Sequence, residues 1–222
     1  IKELFLNGFR NKIIFCEKPC GNSLHEIKKI LKLSKKFNTK IYVNYMRSSM
    51  PVFYKMKNLK FIDKTIFKGV CYYNQTILNE CSHYINLFQL LFGKITKIKK
   101  NNKNYSLYKD RDFELFFKKG LVKFIHLKKL NYTSAKFEIF FKKFSICYNS
   151  DQNTLKKYKI TSNKIYDKKI LSEKYSNSIK LDFQNVQKNI VKEIVKMIKN
   201  KKHSLVKIDE AVKTMKIIEE LK

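Results

Sequence analysis

The order of apolar runs predicts the end of a parallel α/β layer followed by an α+β domain, a mainly antiparallel open sheet with flanking helices. A strand–helix–strand unit opens the chain: Ile13-Ile14-Phe15, then helical periodicity, then Lys40 to Tyr45. β-rich runs separated by turn clusters fill Lys94 to Ile160. Two amphipathic stripes then close the chain.

Residues 1–9 read as the end of a helix, with Gly8 as its C-cap. Ile13-Ile14-Phe15 is a continuous apolar run, as expected of a parallel strand covered on both faces. Pro19 stops that strand and biases Lys18 towards extended backbone. Open α/β sheets bind ligands beyond the carboxyl ends of their strands, so a lone cation delivered there is a candidate site residue. Ser23-Leu24-His25-Glu26 is a capping box, and Leu24, Ile27, Ile30, Leu31 and Phe37 follow at helical spacing. Lys40 to Tyr45 is a second strand, with Ile41, Val43 and Tyr45 on one face.

A short helix is expected around Val52 to Leu59, and a β-rich run between Lys64 and Leu78. The stretch from Asn79 to Gly93 is apolar nearly all round, as in a buried helix. On that helix Asn79, His83 and Asn86 fall at i, i+4 and i+7, one polar stripe that must find partners or face a cavity. Strands follow at Ile95–Ile98, Phe113–Phe117, Leu121–Leu127, Ala135–Phe141 and Phe144–Tyr148, divided by turns such as Asn101-Asn102-Lys103-Asn104 and Lys118-Lys119-Gly120. Their spacing suits an antiparallel meander. Phe183, Val186, Ile190, Ile194 and Met197 form the first closing stripe. Ile208, Ala211, Val212, Met215 and Ile218 form the second, beyond a Lys199–Lys202 turn.

The 222 residues suffice for a sizeable core, and 44% hydrophobic with 14% aromatic content argues against disorder. No apolar run reaches the ~18 residues of a membrane span. The first residues lack the charged-then-apolar layout of a secretory signal, and the chain does not begin with Met. The net charge of +31 invites a nucleic-acid reading. Against it, the only arginines are Arg10, Arg47 and Arg111, and the lysines spread along the whole length as a solvated surface. The five cysteines, Cys16, Cys20, Cys71, Cys81 and Cys147, match neither a disulfide framework nor a zinc pattern. Reduced thiols used for packing point to a cytoplasmic protein. His25, His126 and His203 have no companions at ligand spacing, and no metal is assigned.

Glu17-Lys18-Pro19 at the end of its strand resembles the signature of the Gfo/Idh/MocA family of NAD(P)-dependent oxidoreductases. Val43-Asn44-Tyr45-Met46-Arg47 with Pro51 resembles the point where those proteins leave their Rossmann domain. Asn79-Glu80-Cys81-Ser82-His83-Tyr84-Ile85-Asn86 resembles their histidine-bearing helix. The resemblance implies a truncated carboxyl-terminal part of a Rossmann NAD(P)-binding domain over 1–47, and a substrate-binding and oligomerisation domain over 48–222. A cis bond before Pro19 is frequent in that family. Glu17, Lys18 and Pro19 would lie on the NAD or NADP cofactor, and Arg47 on the substrate or cofactor side or in a surface or interdomain salt bridge. On its own, a histidine of a buried helix reads as a satisfied core residue. The resemblance makes His83 the general base for the hydroxyl being oxidised, with Lys18 orienting substrate and nicotinamide. Asn79 and Asn86 stand where most members carry aspartate, and would act as positioning groups for the imidazole or a sugar hydroxyl. Asparagine at the position of Asn79 is similar to members acting on nucleotide-linked sugars. The open sheet would mediate homo-oligomerisation.

The five glycines form no Gly-x-Gly-x-x-Gly fingerprint. In the family that loop lies upstream of Lys12, so the expectation is a fragment that binds NAD poorly by itself. The expected activity of the whole is hydride transfer between a carbon of a sugar, a nucleotide-linked sugar or a cyclitol and NAD(P). The alternatives are a non-catalytic relative serving as a binding or assembly module, and a basic nucleic-acid-binding protein.

Overall fold

A computed structural model describes residues 1–57, 65–101, 111–127, 130–163, 165 and 168–222, with the side chains of 173–176 excepted. The chain begins with α1 (Lys2–Leu6), and Gly8 follows its end at a φ of 79°, the left-handed conformation that closes a helix. Next come β1 (Ile13–Cys16), α2 (Leu24–Lys36) and β2 (Lys40–Val43). Ser23 caps α2 by accepting the Glu26 N–H at 3.1 Å. The other half of the expected capping box differs: the Glu26 carboxylate takes the Asn22 N–H at 2.9 Å. α3 (Met46–Ser49) and α4 (Pro51–Lys57) come after β2. Leu59, Lys64 and Asn102 to Asn104, in elements expected from sequence, lie outside the described residues.

β3 (Phe67–Tyr73) leads to a π-helical turn, Ile77–Cys81, that runs into α5 (Ser82–Phe92). Then follow β4 (Ile95–Lys100), β5 (Phe113–Phe117), β6 (Gly120–His126), β7 (Lys136–Phe141), β8 (Phe144–Asn149), β9 (Thr154–Asn163) and β10 (Lys168–Lys180). The chain closes with α6 (Val186–Ile198), β11 (Val206–Lys207) and α7 (Ile208–Leu221). Phe183 precedes α6 and is not part of its helical stripe. No helix among the described residues is long and apolar enough to cross a membrane.

The chain divides into two compact units. The first contains 1–59, 77–91 and 185–222; the second contains 60–76 and 92–184. In the first, β1 and β2 pair in parallel from Ile13 opposite Lys40 to Cys16 opposite Val43, and β11 adds antiparallel to β2. Tyr42, Ile190, Met197 and Leu205 form a buried cluster there, with Phe15 and Ile194 against it. Glu193 of α6 is 5% exposed. Its carboxylate accepts the Ser204 N–H at 2.8 Å and the Lys196 ammonium. Burial pushes the Glu193 carboxyl up, but the Lys196 and Ser204 hydrogen bonds outweigh it and hold the group below its ordinary value.

Replacing Glu193 with alanine leaves the buried Ser204 N–H without its acceptor and is expected to destabilise by about 1–3 kcal/mol in urea unfolding. A depressed folded-state pKa stabilises above the unfolded value, about 4.3 for glutamate, and that contribution fades as pH falls through the lower folded value. The difference between wild type and Glu193→Ala therefore shrinks only in acid.

The second unit is an eight-stranded sheet in the order β10-β9-β8-β7-β3-β6-β5-β4. It is antiparallel except at β3, which lies between β7 and β6 and runs parallel to β6. The expected simple meander is thus interrupted by a strand from earlier in the chain. Alternation buries Phe113, Leu115, Phe117, Val122, Phe124, Phe137 and Ile139, and the rings of Phe113 and Phe124 stack at 4.4 Å. Gly120 opens β6 directly against β3: a Cβ there would stand 2.2 Å from the Phe67 carbonyl oxygen. Because that neighbour is backbone, Gly120→Ala is expected to destabilise by about 1–3 kcal/mol, read as a lower denaturation midpoint.

Candidate functional site

Four positions named from sequence converge in the first unit. Lys18 follows the carboxyl end of β1, Arg47 follows β2 in α3, Asn79 lies in the π-helical turn, and His83 is in the first turn of α5. β1 and β2 are parallel, so Lys18 and Arg47 both emerge at the end where open α/β sheets take ligands. The Lys18–Pro19 peptide bond is cis.

Lys18 Nζ donates to the Asn79 carbonyl oxygen and, at 2.8 Å, to its Oδ1. An ammonium has three donors, so two hold Lys18 on the π-helical turn and one remains for a ligand. Burial lowers the Lys18 pKa, the Arg47 charge lowers it further, and Glu17 and Glu80 pull the other way. Beside it, the Glu17 carboxylate accepts the Asn44 amide at 2.8 Å, while the Asn44 N–H continues the ladder to Cys16 O. This clamp fixes the residue before the lysine.

His83 is 5% exposed, and its Nδ1 has no hydrogen-bond partner. Burial, followed by the Arg47 and Lys18 charges, drives its pKa well below the ordinary imidazole value. The imidazole is therefore neutral at physiological pH, and its buried Nδ1 is unpartnered. Tyr45 stands edge-on to it at 5.8 Å, and the Arg47 guanidinium lies 4.8 Å over the Tyr84 ring. Ser48 Oγ and Asn44 Oδ1 are further buried polar atoms without partners. Orphaned polar atoms at the end of a parallel sheet fit a polar ligand.

Asn86 is buried on α5, and its amide donates to Thr214 Oγ1 of α7 at 2.9 Å. Gln89 reaches the same oxygen at 3.0 Å, and Thr214 in turn donates to Glu210 O. The i, i+4, i+7 stripe assumed a continuous α-helix. In the structure Asn79 lies in the π-helical turn Ile77–Cys81, and only His83 and Asn86 are on the α-helix. Sequence reasoning missed the Glu17–Asn44 clamp, the Tyr45–His83 contact and Thr214, none of which has a local signal. Among the described residues no cluster of three or more His, Cys, Asp or Glu side chains is arranged for a metal. A cavity of about 470 Å³ in the same unit, lined by Leu31, Lys35, Tyr42, His203 and Lys207 among others, contains none of the four converging residues.

No protein-family model and no curated protein matches the sequence. Solved structures do match its fold. The UDP-N-acetylglucosamine 3-dehydrogenase of Acidithiobacillus ferrooxidans superposes with a TM-score of 0.74 at 9% identity, over 93% of this chain and 69% of that one. A dehydrogenase of Clostridium difficile gives 0.70 at 14% identity over 99% and 72%. An oxidoreductase of Agrobacterium radiobacter, solved in complex with NAD+, L-tartaric acid and magnesium, gives 0.60 at 12% identity over 92% and 68%. The mixed α/β fold with a large, mostly antiparallel sheet and flanking helices is thus one found in solved oxidoreductases.

Proposed function

We propose that this chain belongs to an NAD(P)-dependent oxidoreductase of the Gfo/Idh/MocA type, and that it carries the substrate side of the site and the part facing the nicotinamide. The observation that carries this reading is the convergence of Lys18 with a buried, neutral His83 whose Nδ1 is unpartnered, at the carboxyl ends of parallel strands. Nicotinamide, when bound, supplies the hydride acceptor. The His83 imidazole takes the proton of the substrate hydroxyl, and the remaining Lys18 donor stabilises the oxygen as its negative charge develops. The Arg47 charge helps to keep His83 neutral, and Asn79 fixes the ammonium.

Glu17, Lys18 and Pro19 are assigned to the nicotinamide end of NAD or NADP, and the sequence supplies no glycine-rich turn for the pyrophosphate. By function, 1–47 is the cofactor side and 48–222 the substrate side. The preferred substrate is a nucleotide-linked sugar, supported by Asn79 and by a fold neighbour that is a UDP-sugar dehydrogenase. The test is cofactor reduction by the product of the full reading frame, with wild type active on a nucleotide sugar and His83→Ala inactive.

A non-catalytic binding module is the second reading. It is favoured by Asn86, whose amide is engaged with Thr214. Full-length protein that binds NAD(P) and a sugar but never reduces the cofactor would decide for it. Exposed Phe140, Ile160, Ile170, Leu171 and Ile179 on β7, β9 and β10 support a homo-oligomer built through the sheet. Light scattering at the monomer mass would overturn that assignment.

A further inference from the structure

The cavity of about 470 Å³ in the first unit takes no part in the proposed hydride transfer. Thr39, Lys40 and Ile41 bring the amino end of β2 to its wall. Lys18 and Arg47 stand instead beyond the carboxyl ends of β1 and β2, at the opposite end of this parallel pair. Leu31, Ile41 and Ile208 give the cavity an apolar lining, with Ile41 and Ile208 buried. Lys35 of α2, Lys40 of β2 and Lys207 before α7 also line it, and all three are exposed. None of these lysines pairs with a carboxylate among the described residues, where Asp209 is the only acidic residue of the lining. No side chain caps α7, so the first N–H groups of this 14-residue helix are left for another acceptor beside Lys207.

Tyr42 lines the same cavity and is 4% exposed, packed with Ile190, Met197 and Leu205. Among the described residues nothing hydrogen-bonds its hydroxyl, although a buried phenol ordinarily finds a partner. His203 stands edge-on to the ring at 5.4 Å. Its Nδ1 accepts the Leu205 N–H at 3.3 Å, which puts the proton of the neutral ring on Nε2 and adds a donor to the lining.

We propose that this cavity binds a small organic phosphate, a sugar phosphate or a nucleoside monophosphate, at a site separate from that of Lys18 and His83. The phosphate takes the charges of Lys35, Lys40 and Lys207 and the N-terminal end of α7, all of which favour an oxyanion. The organic body covers the apolar lining, and the Tyr42 hydroxyl gains the hydrogen-bond partner that the chain does not supply. The volume falls within the roughly 300–1,000 Å³ of small-molecule sites. Binding here needs no turnover, so it stands or falls independently of the dehydrogenase reading.

The test is calorimetric titration of the 222-residue chain with inorganic phosphate, glucose 6-phosphate and adenosine monophosphate. Ionic strength is held at about 0.15 M, where exposed charges are screened beyond about 8 Å. One of the two esters is expected to bind one to one, at least about tenfold more tightly than inorganic phosphate. The ester that does so distinguishes a sugar phosphate from a nucleotide. Lys40→Gln/Lys207→Gln should weaken that binding about tenfold or more, whereas Lys142→Gln/Lys143→Gln, which removes the same charge from the other unit, should leave it unchanged. Tyr42→Phe keeps the ring in its cluster and should cost several-fold in affinity with a wild-type melting temperature. No saturable binding of either ester, equal losses in the two double variants, or wild-type affinity in Tyr42→Phe would overturn the site.

Discussion

His83→Ala is expected to lower kcat by about 10²–10⁴-fold with little change in KM, because the loss falls on proton transfer. The pH profile sharpens this expectation. With His83 as the proposed base, turnover needs the neutral imidazole, and burial with the Arg47 and Lys18 charges disfavours the imidazolium. The acid limb should therefore have its midpoint below the ordinary histidine value of about 6.5, with activity lost as pH falls through it. Removing one of those charges by Arg47→Met is expected to move the limb back towards neutral pH. An acid limb that Arg47→Met leaves in place would separate His83 from the titration.

Lys18→Ala should cost about 10²–10³-fold in kcat/KM, the effect of removing one preorganised donor from a developing oxyanion. Lys18 is half-buried at the end of a loop, so thermal stability should be close to wild type. Lysine must be protonated to donate, and burial with Arg47 lowers its pKa from 10.5. The alkaline limb should accordingly fall below the usual lysine range, with activity lost as pH rises through it. Lys18→Arg is not expected to rescue, since a planar guanidinium cannot reproduce one ammonium that binds both oxygens of Asn79 and still points a donor outward. Rescue by arginine would show that only charge is needed there.

Much of this was legible in the residues, for physical reasons. Pro19 marks where β1 ends, hence where Lys18 stands, by local sterics. The expected cover on both faces of the Ile13-Ile14-Phe15 run is not found: Ile14 is buried and Ile13 exposed. α5 declared its burial through its apolar girth. The role proposed for His83 is different: a buried histidine has no local signature of catalysis, and only the resemblance singled it out. The π-helical turn had no local pattern to announce it, and the Lys18–Asn79 contact made there joins residues 61 apart in sequence. The position of β3 between β7 and β6 is likewise a non-local pairing. β10 escaped notice because its polar residues lack a two-residue apolar alternation; its backbone ladder to β9 holds it in place.

The central claim is that Lys18 and His83 form a hydride-transfer site. Its most direct test is reduced nicotinamide followed in solution with the product of the full reading frame, NAD(P)+ and a panel of nucleotide sugars and cyclitols. The account predicts turnover on at least one substrate by wild type, reduced at least about a hundredfold in both Lys18→Ala and His83→Ala. Turnover that survives in either variant, or a wild type that binds cofactor and sugar without reducing any cofactor, would contradict it.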